Sequence, residues 1–262
     1  MSHFELLKWY ADCVTPDGSA LILYCAELRW RGPAIRYTSL LTHRQGCATQ
    51  SRFSLRKQPP PHVREDAVEW TSRKWRADGA WRRRGGELHE VLFDSPDGNL
   101  EWHCVAPRSI AEIRLGATEC LQGWGYVERL RLTVAPWHLP IRRLRWGRFM
   151  NEVDSLVWID WSGPYNKQVV YDRGVAVQAR TIGDREVVLE DGEAVLSLDP
   201  EAVLRDGALG TTALAVLPDL DRLFPATLLQ VRERKWLSRA VLRRRGRPDS
   251  TGMAIHEVVE WP

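Results

Sequence analysis

The sequence lacks several features that mark well-defined classes of protein. Only five of its 262 residues are cysteines, an odd number without a Cys-x-x-Cys pair, which argues against a disulfide framework or a zinc knuckle. No stretch approaches the ~20 consecutive apolar residues that cross a bilayer. Phosphate-binding loops, nucleophile elbows, HExxH motifs and dinucleotide fingerprints are also missing. We therefore expect no metal, no cofactor and no catalytic triad.

Charge and the opening segment bear on location and partners. Glu5 and Lys8 stand where a secretory signal would be apolar, which favours a cytoplasmic protein, free or peripheral to the inner membrane. Net charge is +3, and arginines are locally dense. Many alternate with aliphatic residues, as in Arg129–Leu132, and this is typical of the outer face of a half-buried strand. We expect no nucleic acid as a partner, and contact with an anionic membrane surface stays open.

Strand patterns run through the whole chain and predict an all-β fold. Alternating segments are separated by tight turns such as Thr15–Gly18 and Ser95–Gly98, in which Pro-Asp-Gly presets the backbone geometry. Such even spacing is typical of an antiparallel meander that forms a sandwich or a barrel. Helix is predicted only for two short pieces, around Pro200–Leu204 and near Leu220–Leu223.

An internal similarity suggests two copies of one unit. In each half, a Leu-basic-Trp strand is followed by a turn and a second apolar strand: Leu7–Trp9 with Ser19–Leu23, and Leu144–Trp146 with Ser155–Ile159. Chance similarity between alternating strands is the alternative. Two copies would meet within Ala135–Pro140. We therefore predict two tandem antiparallel lipocalin-like β-barrels, residues 1–138 and 139–262, with an apolar interior suited to a long apolar ligand.

Tryptophan is plentiful, with thirteen in the chain. Indoles bury large areas, and they also line ligand pockets, where their faces stabilise cations. Packing in a barrel core or rim is the ordinary role of any single one. As a group, five are predicted to contact a hydrophobic small molecule, an isoprenoid or a lipid: Trp102, Trp124, Trp146, Trp158 and Trp161.

The segment Gly123–Glu128 carries the most informative titratable group. Because side chains alternate along a strand, Tyr126 and Glu128 share one face while Val127 takes the other. A carboxyl among leucines and indoles on an inner face would be desolvated, which would raise its pKa and suit a general acid. Arg148 is a candidate partner whose charge would oppose that rise. A purely structural ion pair of Glu128 with an arginine is the alternative.

The same residues carry a family resemblance. GWGYVE at 123–128, followed by RWGRF at 145–149, resembles the GxGYxD…WGRF region of the carotenoid 1,2-hydratases, also called hydroxyneurosporene synthases. The resemblance implies tandem lipocalin-like barrels and a proton-driven, cofactor-free addition of water to an isoprenoid double bond, with the acid on Glu128. Glu128 replaces the aspartate of that pattern, and Leu130 stands where an asparagine is usual.

Three functions are compatible with these residues. The first is a hydro-lyase or cyclase of isoprenoids in which Glu128 protonates an alkene beside Tyr126 and Arg148, with Asp160 as the alternative acid. The second is a lipocalin-like lipid or isoprenoid carrier without chemistry. The third is an interaction protein whose barrels are filled by side chains. Bound lipid would separate the third from the others, and product formation would separate the first from the second.

Overall fold

Nearly all of the chain is organised in antiparallel strands. The computed structural model describes residues 4–190, 192–215 and 224–262. Strands account for 64% of it and helices for 4%, so the prediction of an all-β fold is confirmed. The chain divides into two units, Met1–His138 and Leu139–Pro262. No helix among the described residues has the length and hydropathy needed to span a bilayer.

The described strands of the first unit form one sheet. They are β1 (Glu5–Val14), β2 (Ala20–Arg29), β3 (Ile35–His43), β4 (Gln50–Ser54), β5 (His62–Val63), β6 (Ala67–Ser72), β7 (Ala77–Arg83), β8 (Leu88–Ser95), β9 (Gly98–Leu115) and β10 (Glu119–Leu132). Their order in the sheet is β4-β3-β2-β1-β10-β9-β7-β6-β5, and β8 pairs with β9. The first strand therefore lies beside the last. A single turn of 3₁₀ helix follows at Pro136–His138.

The second unit repeats this strand order, and among its described residues no strand corresponds to β8. Its described strands are β11 (Arg143–Met150), β12 (Ser155–Ser162), β13 (Lys167–Asp172), β14 (Val175–Val177), β15 (Ala179–Ile182), β16 (Glu186–Leu189), β17 (Ala194–Ala208), β18 (Arg232–Arg244) and β19 (Ser250–Glu260). A 3₁₀ turn (Leu209–Thr211) and the short helix α1 (Ala226–Leu229) separate β17 from β18. The order is β14-β13-β12-β11-β19-β18-β17-β16-β15. One sheet is a half-barrel and the other a nearly closed barrel.

One face of each sheet forms an apolar core. Strand residues alternate between two faces, so every second side chain of a strand contributes to the same core. In the first unit the core includes the indoles of Trp9, Trp70 and Trp81. In the second it is built around Phe149 and Trp158. Burying side chains of this size contributes roughly 1.5–3 kcal/mol each to folding. Each apolar face therefore stabilises the unit to which it belongs.

The helical piece predicted at Pro200–Leu204 is wrong, because this segment belongs to the long strand β17. The register between β17 and β18 shifts between Pro200 and Ala202 and again between Val203 and Arg205. Proline lacks the amide donor of a regular ladder, and a bulge is where a paired strand accommodates it. The other predicted helical piece, near Leu220–Leu223, lies outside the described residues.

Gly147 on β11 is required by the packing of an indole. It lies opposite Trp158 on β12 and His256 on β19. A Cβ at this position would be 2.2 Å from Cζ2 of Trp158 and 2.8 Å from Cβ of His256. The buried Trp158 ring therefore occupies the space that a side chain at position 147 would need.

We predict that Gly147→Ala destabilises the protein, since the rigid core indole would have to move to admit the methyl group. The expected loss is roughly 1–3 kcal/mol in the free energy of unfolding, the usual cost of overpacking. Gly183→Ala in the same unit is the control, because its Cβ would have its nearest neighbour at an ordinary 3.5 Å. Urea unfolding followed by circular dichroism measures both, and equal midpoints would contradict the explanation.

Candidate functional site

Glu128 lies on the face of the first sheet opposite its apolar core. Val127 belongs to the core, whereas Tyr126 and Glu128 point the other way. The predicted alternation is seen: Val127 faces the core, and Tyr126 and Glu128 share the other face. Glu128 is nevertheless buried, with 5% of its surface exposed.

Two local features of β9 and β10 place this carboxyl. Gly125 leaves room for the indole of Trp81, whose Cδ1 would be only 2.5 Å from a Cβ at position 125. The register then shifts twice between Gly125 and Glu128, where Pro107 lies on the partner strand β9. A bulge bends a strand and increases its twist, so it re-aims the side chains beyond it.

Both hydrogen bonds identified at Glu128 converge on one carboxyl oxygen. The hydroxyl of Tyr126 donates to Oε2 over 2.6 Å, and Nε1–H of Trp102 donates to the same oxygen over 2.5 Å. Burial, with the nearby Cys104 and Glu128, raises the pKa of Tyr126 well above its usual value. Burial and the charge of Glu128 likewise raise the pKa of Cys104. Tyr126 therefore keeps its proton and stays a donor.

A second buried carboxyl, Asp12, completes the polar face and was missed in the sequence. The hydroxyl of Tyr10 donates to Oδ2 of Asp12 over 2.9 Å. On the paired strands Tyr10 lies opposite Glu128 and Asp12 lies opposite Tyr126. Each strand therefore contributes one tyrosine and one carboxyl in reciprocal positions. The signal was present in the sequence, because Tyr10-Ala11-Asp12 repeats the Tyr-x-carboxyl pattern of 126–128.

The five predicted tryptophans have different surroundings. Trp102 contacts Glu128, and Trp124 on β10 lies under the guanidinium of Arg108, 5.2 Å from its ring centre. In the second unit, Trp146 faces the ammonium of Lys235 at 5.3 Å, Trp158 belongs to the core, and Trp161 lies edge-on to Tyr165. Two of the five, Trp102 and Trp124, lie in the first unit, and of these Trp102 is the one hydrogen-bonded to Glu128.

Arg148 and Asp160, the two other predicted site residues, lie in the second unit. Arg148 on β11 is fully buried, and its Nη1 donates to the carbonyl of Met253 over 3.4 Å. Its pairing with Glu128 stays a prediction. Asp160 on β12 forms an ion pair with Arg145 at 3.4 Å and is partly exposed. These contacts tie Asp160 to its own sheet.

The second unit has two further sets of buried polar residues. Nε2 of His256 is 2.8 Å from the hydroxyl of Ser238, and the indole of Trp236 stacks on the imidazole. Burial lowers the pKa of His256 to about 4. On the opposite face of the sheet, the buried Lys235 forms ion pairs with Glu257 and, at 3.8 Å, with Glu233. Sequence reasoning missed both sets, although polar residues within apolar strands were a usable signal.

One cavity of the first unit is small. It measures about 230 Å³, and Trp9 and Cys25 of the core form part of its lining. Pockets for drug-sized ligands run from roughly 300 to 1,000 Å³. A long apolar ligand therefore does not fit in this cavity.

Among the residues that the structure describes, no group of three or more His, Cys, Asp or Glu side chains could hold a metal ion.

Solved structures share this fold at low sequence identity. Kievitone hydratase from Nectria haematococca superposes with a TM-score of 0.60 at 9% identity, covering 97% of this chain and 88% of that one. CghA with Sch210972 gives a TM-score of 0.59 at 11% identity, over 98% and 88% of the two chains. No protein-family model matches the sequence, and no curated protein matches it. The likeness establishes a common fold.

We predict that His256 makes stability depend on pH. The unfolded imidazole accepts a proton near pH 6.5, whereas the folded one does so only near 4. The free energy of unfolding is therefore highest above pH 6.5 and decreases as the pH falls towards 4, because protonation favours the unfolded state. The expected decrease between pH 7.5 and pH 5 is ~2 kcal/mol. Urea unfolding at both pH values should give a smaller difference for His256→Gln. The exposed His62→Gln is the control, and an unchanged pH dependence in His256→Gln would refute the assignment.

Proposed function

We propose that this protein is a cofactor-free acid–base enzyme that adds water to, or cyclises, a carbon–carbon double bond of an apolar isoprenoid. Glu128 is the proton donor. The observation that carries the proposal is a buried carboxyl whose Oε2 accepts hydrogen bonds from both Tyr126 and Trp102. Buried titratable groups in such defined surroundings are typical of acid–base sites.

The two donors bear on which oxygen of Glu128 would carry the transferable proton. Because Oε2 accepts two hydrogen bonds, we place that proton on Oε1. Transfer of that proton breaks the π bond of the alkene, forms a C–H bond and leaves a tertiary cation. Water then forms the C–O bond and returns one proton to Glu128. The sum is one alkene and one water giving one alcohol, with the enzyme regenerated.

The aromatic residues around Glu128 suit a cationic intermediate. Tyr126 and Tyr10 lie with ring centres 6.0 Å apart, and Trp102 contacts the acid directly. An aromatic face stabilises a desolvated cation by about 2 kcal/mol. Since Glu128 points away from the apolar core, the substrate would reach it from the opposite face of the sheet. The unit's small interior cavity is then no obstacle to a long substrate.

Two further points support a hydratase-type reaction. The fold is shared with a protein named kievitone hydratase. The resemblance of 123–128 and 145–149 to the carotenoid 1,2-hydratases implies the same class of chemistry, in which the acid would fall on Glu128. Leu130, where an asparagine is usual, removes a polar group two residues beyond the acid. We therefore expect either that the attacking water is held at a different position from that in the family, or that cyclisation replaces the addition of water.

We predict that Glu128→Gln abolishes turnover, because it keeps the size and the acceptor oxygen of the side chain but has no acidic proton. Purified protein is incubated with an acyclic isoprenoid polyene in detergent micelles and ¹⁸O-labelled water, and products are analysed by mass spectrometry. Glu112→Gln, on β9 and paired with Arg114, is the matched control. Binding of the polyene, followed by tryptophan quenching, should change less than about tenfold.

Activity that survives in Glu128→Gln would move the acid elsewhere and overturn the proposal. Saturable polyene binding with no product from the wild type would instead favour the carrier alternative.

We predict that Tyr126→Phe lowers kcat about tenfold while KM changes little, since it removes a hydrogen bond that orients the acid. Tyr126 is thus a positioning residue. Trp102→Phe, which removes a second donor to Oε2, should have a similar effect, and the double variant should lose more than either. Unchanged kcat in both single variants would show that these hydrogen bonds serve folding alone.

A further inference from the structure

The small cavity of the first unit has a defined construction. It opens on the apolar face of the sheet, and Trp9 and Cys25 of the core form part of its lining. One wall is the segment that includes Lys57, Gln58 and Pro60. Two hydrogen bonds hold that wall: Nε1–H of Trp70 donates to the carbonyl of Pro59 over 3.0 Å, and the Ser72 hydroxyl donates to Gln58 over 3.0 Å.

The floor of the cavity is uncharged. Trp9, Cys25 and Thr38 are neighbours in register on β1, β2 and β3, and they are the buried members of its lining. Burial raises the pKa of Cys25 to about 12, so the thiol stays protonated. Leu7 adds an aliphatic surface next to Trp9. This end of the cavity suits an apolar chain or ring.

The carboxylates at the rim are already compensated by arginines. Glu27 pairs with Arg29 at 2.7 Å and with Arg36 at 2.9 Å. Glu5 pairs with Arg29 at 3.6 Å and with Arg131 at 3.3 Å. Arg29 is shared, so three guanidiniums balance the two carboxylates, and this weakens their repulsion of an incoming anion.

The cationic side of the rim retains capacity to bind. Lys57 is exposed and takes part in no ion pair among the described residues. Arg36 gives its Nε–H to Glu27, and a guanidinium has five N–H donors in all. The entrance of the cavity therefore presents an uncompensated positive charge above an apolar floor.

We propose that this cavity binds a small apolar carboxylate, with its chain on Trp9 and Leu7 and its carboxylate on Lys57 and Arg36. Its volume of about 230 Å³ admits a molecule smaller than a typical drug-sized ligand. The site lies on the other face of the sheet from Glu128. It is thus a second binding site, separate from the proposed acid.

The first test compares three probes of equal chain length by titration calorimetry: octanoate, 1-octanol and octylammonium. Octanoate should bind one-to-one, and the neutral and cationic probes should bind at least about tenfold more weakly, because only the carboxylate pairs with the rim cations. Equal affinity for octanol, or no saturable octanoate binding, would overturn the proposal.

Variants then locate the site. Lys57→Glu should weaken octanoate binding about tenfold or more, whereas Lys74→Glu, an exposed lysine of the same unit away from the cavity, should not. Leu7→Trp, which fills the cavity from its wall, should also abolish binding. Circular dichroism checks that each variant is folded. If Leu7→Trp is unstable, the test rests on Lys57→Glu, because Lys57 is exposed and its replacement should not affect folding. Unchanged binding in Lys57→Glu refutes the site. Glu128→Gln should bind octanoate normally, so this result stands apart from the proposed catalysis.

Discussion

The hydrogen-bonded pairing of the first strand with the last strand of each unit is the constraint on which the rest depends. In the first unit β1 joins β10, and in the second β11 joins β19. Each pairing converts two separate meanders into one curved sheet and removes two long edges that would otherwise be exposed. It also brings together residues that are far apart in sequence. Tyr10 meets Glu128 and Asp12 meets Tyr126 only because β1 and β10 are neighbours.

The same sheets separate structural from chemical roles by face. In the first unit one face carries a continuous apolar core, which packing alone explains. The other carries buried tyrosines and carboxyls, and such groups lose free energy on burial unless they are hydrogen-bonded. Tyr10 supplies that bond to Asp12, and Tyr126 supplies it to Glu128. An apolar surface would be simpler to stabilise, so this polar face is where we locate the chemistry.

The glycine–aromatic segments have a packing role that is independent of catalysis. Gly125 accommodates Trp81 and Gly147 accommodates Trp158. In each case the indole packs directly on the backbone, in the space that a side chain would occupy. These two glycines of the segments 123–128 and 145–149 are therefore explained by packing alone. The functional argument rests on the remaining residues of the segment, Tyr126 and Glu128, whose side chains point away from that packing.

The sequence by itself determined the class of fold, the main strands and the turns between them, because side-chain alternation and turn chemistry are encoded within a few neighbouring residues. It also determined that Tyr126 and Glu128 share a face. Tertiary structure decided which face became the core, because alternation with a period of two does not by itself distinguish the two faces of a strand. It also decided that Trp102, 26 residues from Glu128, would contact it, and that Pro200 would lie in a bulged strand. Those outcomes depend on register between distant strands, which local patterns do not encode.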